Sequence, residues 1–151
     1  MRGADPRYLR RAIELAREAR DHGDGAYGAI LVADDGEVLL EAKNSVRTDH
    51  DCTAHAELSL VRQASRTYSA KELANCTLYA SCEPCAMCAG AIFWSGIGRV
   101  VFGLSYSRLY ELRGSAARQL RLGCREVFAR SDRTIAVEGP LLEDEAATVF
   151  P

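Results

Sequence analysis

Thr77-Leu78-Tyr79-Ala80-Ser81, then Pro84-Cys85-Ala86-Met87-Cys88 running on to Trp94, then Arg99-Val100-Val101-Phe102 is the stretch that sets the architecture. Two short β-rich runs enclose residues 85–94, which hold no proline and are long enough for a helix. Pro84 suits the start of that helix, where a missing N–H costs nothing. Cys85 and Cys88, three apart, share a helix face. Both thiols then lie at the positive end of the helix dipole, which favours thiolate.

Working outward, His55-Ala56-Glu57 supplies an imidazole and a carboxylate upstream of the two thiols. Asp51-Cys52-Thr53 precedes an apolar-periodic run, Ala54, Leu58 and Val61. The pattern predicts a helix over 54–65 capped by Thr53 or Asp51, with His55 in its first turn. Two helix N-termini would then converge on one metal ion. His55, Cys85 and Cys88 make three protein ligands and leave the fourth position of a tetrahedral zinc open, the layout of a catalytic rather than a structural site. Zinc lowers the pKa of bound water from about 15.7 to about 7, roughly 12 kcal/mol at about 1.4 kcal/mol per unit. A hydroxide nucleophile is thereby available at neutral pH. Glu57, not itself a ligand, is the candidate proton shuttle. The other readings are a redox Cys-x-x-Cys pair and a structural zinc drawing on Cys52, Cys76, Cys82 or Cys124. Neither requires the His-x-Glu pair.

The 151 residues, 48% of them hydrophobic, can bury about two-thirds of their unfolded surface and are read as one domain, 1–151. No run approaches 18 apolar residues and no signal-like segment opens the chain, so a cytoplasmic protein is expected. Metal-ligating thiols argue against a disulfide scaffold for the six cysteines. A net charge of −2 gives no global attraction to nucleic acid. The arginines of the first helix and of residues 108–125 are interspersed with Glu14, Glu18, Glu111 and Glu126 and read as solvated faces.

Periodicity predicts a helix over 5–21, a hairpin of strands 28–33 and 37–42 turning at Asp34-Asp35-Gly36, and a short turn at 70–73. Leu109, Leu112, Ala116 and Leu120 approximate helical spacing, interrupted by Gly114. Residues 125–129 and 134–137 are read as edge strands, and 140–149 as a closing helix. The whole gives an α/β protein with a mixed sheet and helices on both faces.

Residues 27–103 resemble the cytidine deaminase-like superfamily, in the branch of guanine deaminases, tRNA adenosine deaminases and fungal-type cytosine deaminases. The motif pair His-x-Glu and Pro-Cys-x-x-Cys carries the likeness. It implies a three-layer α/β/α sandwich around a five-stranded mixed sheet, one Zn2+ per subunit, and a homodimer whose partner helps close the pocket. It also implies hydrolytic deamination of a nucleobase. Thr53-Ala54-His55-Ala56-Glu57 is shared by guanine and tRNA adenosine deaminases. Residues 76–85 with Gly90-Ala91-Ile92-Phe93-Trp94 are more similar to guanine deaminases, whereas Ser95 to Gly103 is closer to the tRNA pattern.

The resemblance therefore points to guanine or a related amino-heterocycle, the alternatives being tRNA adenosine, cytosine or a nucleoside, and, outside enzymes, a zinc-stabilised binding module. Substrate contacts are expected from Asn44, Tyr27, Ala56, Trp94 and Glu83. Asn44 could instead cap the strand end, and Tyr27 and Trp94 could be core aromatics. After Gly103 the chain departs from the acidic-aromatic tail of guanine deaminases. Glu111, Glu143 and Asp144 are the candidates for a second substrate carboxylate, and residues 105–125 for a lid or a partner contact.

Overall fold

The computed structural model of the chain describes residues 3–114 and 117–151. A five-stranded sheet runs in the order β2-β1-β3-β4-β5, from β1 (Gly28–Val32), β2 (Val38–Lys43), β3 (Thr77–Cys82), β4 (Arg99–Leu104) and β5 (Ala136–Glu138). β1 is antiparallel to both β2 and β3, while β3, β4 and β5 are parallel. The expected mixed sheet is therefore present. β1, β3 and β4 are buried along their whole length, as strands covered on both faces must be.

Alternation along the strands divides the core into two layers. Ala29, Leu31, Val100 and Phe102 face one cluster, Ile30, Val32 and Val101 the other. α1 (Pro6–Asp21), capped by Asp5, covers the second face with Leu9, Ile13, Leu15 and Ala16. It crosses β1 so closely that a Cβ at Gly28 would lie 2.3 Å from the Ala12 carbonyl oxygen and 2.6 Å from Leu15 Cβ. Gly28 is thus required by the packing and not by its own backbone angles.

On the opposite face lie α3 (Ala56–Thr67) and α5 (Ala86–Ser95), which pack on each other. α5 ends at Gly96 with φ of 95°, and the Arg133 guanidinium donates to the carbonyls of Ile92, Phe93 and Ile97 around that end. A cation thereby satisfies the carbonyls left over at a helix C-terminus.

Several expectations are corrected. His55 and Cys85 are the N-caps of α3 and α5, one position before the helices begin. The Asp51 carboxylate does not cap α3; it accepts from Thr53 N–H and Oγ1–H within the preceding turn. A short helix, α2 (Val46–Asp49), was not anticipated, and α4 (Ala70–Leu73) carries a capping box between Ser69 and Glu72. Residues 125–129 are not a strand: Cys124–Phe128 form α7. The last strand is β5, shifted to Ala136–Glu138, and the closing helix shrinks to α8 (Glu143–Ala147). The spacing after Ser105 yields α6 (Tyr106–Arg113), which Gly114 ends and which buries only Leu109. Leu112 and Leu120 are exposed, and Ala116 lies outside the described residues. Among the described residues, no helix is long and apolar enough to cross a membrane.

Candidate metal centre and cavity

The amino ends of α3 and α5 meet at the same place. His55 Nδ1 lies 3.5 Å from the sulfur of Cys85 and 3.5 Å from that of Cys88. All three donor atoms fall within 4.8 Å of one another. A tetrahedral zinc with bonds of about 2.3 Å to sulfur and about 2.05 Å to nitrogen separates S from N by about 3.5 Å. The donor set therefore fits zinc in both chemistry and spacing. Ligation through Nδ1 requires the imidazole tautomer with its proton on Nε2.

The two thiols are coupled. A hydrogen bond from Cys88 lowers the Cys85 thiol to about 4, with His55 assisting against burial, and Cys88 is correspondingly pushed up. Cys88 is fully buried. Glu57, the second residue of α3, is buried too, and that burial, reinforced by the Cys85 charge, pushes its carboxyl up to about 7. An acid group shielded from water beside an ion site is equipped to hold and release a proton near neutrality.

His55, Glu57 and Cys85 floor a cavity of about 500 Å³, with Cys88 behind them. Its walls include Tyr27, Val46, Cys52, Tyr106, Leu109 and Tyr110, with Arg113, Arg118 and Leu120 also on the lining. The size and largely apolar lining suit a small planar ligand. Tyr106 and Tyr110 stack in parallel, ring centroids 5.5 Å apart, and Arg113 donates to the Tyr27 hydroxyl at 3.1 Å.

The five expected substrate contacts fare differently. Tyr27 and Glu83 line the cavity. Both carboxylate oxygens of Glu83 already accept backbone amides, one from Tyr106 at 3.3 Å and one from Cys124 at 3.1 Å. Asn44 is buried beside Tyr27, its side-chain oxygen accepting from Gly25 and Val46 amides, and does not line the cavity. Ala56 is fully buried in the packing of α3, also off the lining. Trp94 lies at the far end of α5, 83% exposed, edge-on to Phe93 and beside Ala70 and Lys71. It is neither a wall of the cavity at the metal site nor a core aromatic.

Of the candidate second carboxylates, Glu143 accepts from Ser105 N–H at 2.8 Å, and Asp144 pairs with Arg108. Neither they nor Glu111 line the cavity. The aromatic wall of α6 was missed at the level of the sequence. Tyr106 and Tyr110, four apart and directly after the carboxyl end of a parallel strand, were the available signal.

Comparison with known proteins agrees with this geometry. Residues 3–104 match the family described as the cytidine and deoxycytidylate deaminase zinc-binding region. A probable cytosine deaminase of Schizosaccharomyces pombe is 43% identical over 144 residues, covering 94% of this chain and 87% of that protein. A guanine deaminase of Bacillus subtilis is 46% identical over 105 residues, 69% of this chain and 67% of the relative. A solved structure from work on A-to-I editing by tRNA:A34 deaminases superposes with a TM-score of 0.76 at 27% identity, covering 97% of this chain and all of that one.

Proposed function

Because the chain belongs to the cytidine and deoxycytidylate deaminase zinc-binding family, we propose that this zinc deaminase acts on a free nucleobase, guanine or a related amino-heterocycle, and releases ammonia. The observation that carries this reading is the buried Glu57 carboxylate beside the His55, Cys85 and Cys88 triad, at the floor of a cavity walled by tyrosines. A module that only stored zinc would have no use for an acid group held dry at that position.

When bound, zinc supplies the Lewis acidity that brings the attacking water towards neutrality. Glu57 takes a proton from that water and delivers it to the ring nitrogen next to the amino-bearing carbon. A second proton passes through the same carboxylate to the departing amine. The balance is base–NH2 plus water to base=O plus ammonia. Tyr27, Tyr106 and Tyr110 offer flat or edge surfaces to the heterocycle and keep bulk water out, which strengthens each polar contact inside.

Arg113 and Arg118 support a second reading. Both line the cavity and neither has a carboxylate partner among the described residues. Two such cations suit a phosphate beside the base, as in a tRNA anticodon loop carrying adenosine. The separating experiment is ammonia release by the zinc-loaded protein from guanine, adenine, cytosine, their nucleosides and an adenosine-containing stem-loop, at two salt concentrations. Turnover of free guanine with little salt dependence supports the first reading; turnover of the stem-loop alone, weakening steeply with salt, replaces it with the second.

The reading includes a homodimer formed along α5. Met87, Gly90, Ala91 and Trp94 make an uncharged stripe at helical spacing, and a Cβ at Gly90 would meet nothing within 4 Å. Met87 also lines the cavity, so a partner on this stripe would stand next to the site. Trp94→Glu is expected to shift the sedimentation coefficient from dimer to monomer; an unchanged value removes α5 as the interface. Ligating thiols need reducing surroundings, which supports a cytoplasmic place of action.

A further inference from the structure

Among the described residues, a single buried side-chain polar atom has no hydrogen-bond partner: the hydroxyl of Tyr106. Buried hydroxyls in folded proteins are nearly always paired, because an unpaired one forfeits its bonds to water. An orphan on a residue that lines a cavity is therefore informative in a way that an orphan in the core is not. Tyr106 lies on the cavity wall, stacked against Tyr110, with the floor formed by His55, Glu57 and Cys85. Burial, with the charges of Cys85 and Cys82 adding to it, pushes its phenol well above the usual tyrosine range. The group is thus an O–H donor at any working pH.

The backbone that carries this side chain is unusually well fixed. Ser105 caps α6 by accepting from Arg108 N–H, and Glu143 holds Ser105 N–H. The Glu83 carboxylate accepts from Tyr106 N–H with one oxygen and from Cys124 N–H with the other. Glu83 stands two residues before Cys85, so one side chain ties the start of α6, the start of α7 and the metal-binding loop together. A Cβ at Gly123 would sit 3.0 Å from that same carboxylate oxygen, so a larger residue there would press on Glu83.

We propose that Tyr106 is a specificity-determining residue whose hydroxyl donates to an acceptor on the bound heterocycle, a carbonyl oxygen or an unprotonated ring nitrogen, with Glu83 as the residue that positions it. The inference rests on the nucleobase reading above and adds to it the edge of the base that is read. A heterocycle presenting an acceptor there takes the bond that the phenol O–H donates; one presenting an N–H can use only the phenol oxygen as acceptor and leaves the O–H without a partner. The discrimination belongs to the class in which a buried polar group left unpaired rejects the wrong ligand.

The test is Tyr106→Phe, which removes one oxygen and keeps the ring, made both in the active protein and in a Glu57→Gln background in which binding is measured without turnover. Guanine, adenine and cytosine serve as probes. The expected result has two parts. The dissociation constant and KM of a base that the parent binds rise about ten-fold, the worth of one hydrogen bond, while kcat changes less than about three-fold. The melting temperature of the ligand-free protein stays equal to the parent's or rises, since an unpaired buried hydroxyl has been deleted.

A lower melting temperature would show that the hydroxyl is bonded within the protein and overturns the proposal whatever the substrate. Unchanged affinity for every probe the parent binds overturns it as well. If the parent binds none of the three, the free-base reading fails while the stability arm still decides whether the hydroxyl is orphaned. Glu83→Gln leaves one acceptor where two amides need one each. It should reproduce part of the affinity loss with zinc content unchanged; full affinity in that variant removes Glu83 from the positioning role.

Discussion

Glu57 is where a single atom exchange tells most. Glu57→Gln keeps the shape of the side chain and abolishes its capacity to carry protons. Zinc content and fold are expected to persist while ammonia release falls by roughly 10²–10⁴-fold, the usual worth of a positioned acid–base group. Full activity in the variant removes Glu57 from the proton path. Glu83 gives a contrasting residue, because its two oxygens face backbone amides. Glu83→Gln should speed hydrogen exchange at the amides of Tyr106 and Cys124 by about ten-fold, the worth of one lost bond, and leave amides of β1 and β4 protected. The metal site of His55, Cys85 and Cys88, with Glu57 beside it, was legible because its chemistry is tied to short spacings. Tyr106 was not, because what marks it is the absence of a partner, a property that exists only once the chain is folded.

Elements show the same division. α1 could be read from its period, since it buries one regular stripe, and β1 and β3 as short β-rich runs bounded by turn residues, buried along their whole length. α7 was mistaken for a strand: five residues, Cys124 to Phe128, carry too few turns for a helical period to register. Glu83 and Gly123, distant in sequence, settle its amino end instead. α5 misled in another way. It is apolar nearly all round, so its composition does not say which side faces inward; Cys88, Ala89, Ile92 and Ser95 are buried and Trp94 is turned out. The contact between α1 and β1 offers a stringent test of packing. Gly28→Ala places a methyl against the Ala12 carbonyl and is expected to destabilise the protein by about 1–3 kcal/mol or more, read from chemical denaturation. A neutral substitution would mean that α1 can lift from the sheet at little cost.

Over the whole molecule, the metal joins two parts of the chain that are 30 residues apart, the amino ends of α3 and α5. A ligand bound only by the folded state stabilises it in proportion to the logarithm of its excess over Kd, about 4 kcal/mol at a thousand-fold excess. Removing zinc with a chelator should therefore lower the melting temperature by about 10 °C for a chain of this size. The Cys88→Ser protein should start near that lower value and respond little to chelator. An equal response of both proteins would place the stabilising ion elsewhere. Trp94, the sole tryptophan, stands on the outer end of α5, 83% exposed and off the lining of the cavity. The molecule therefore carries its own optical reporter for that one face. Its emission should move to shorter wavelength on self-association and stay constant while a base is titrated into the protein, so assembly and occupancy can be followed as separate signals without attaching a dye.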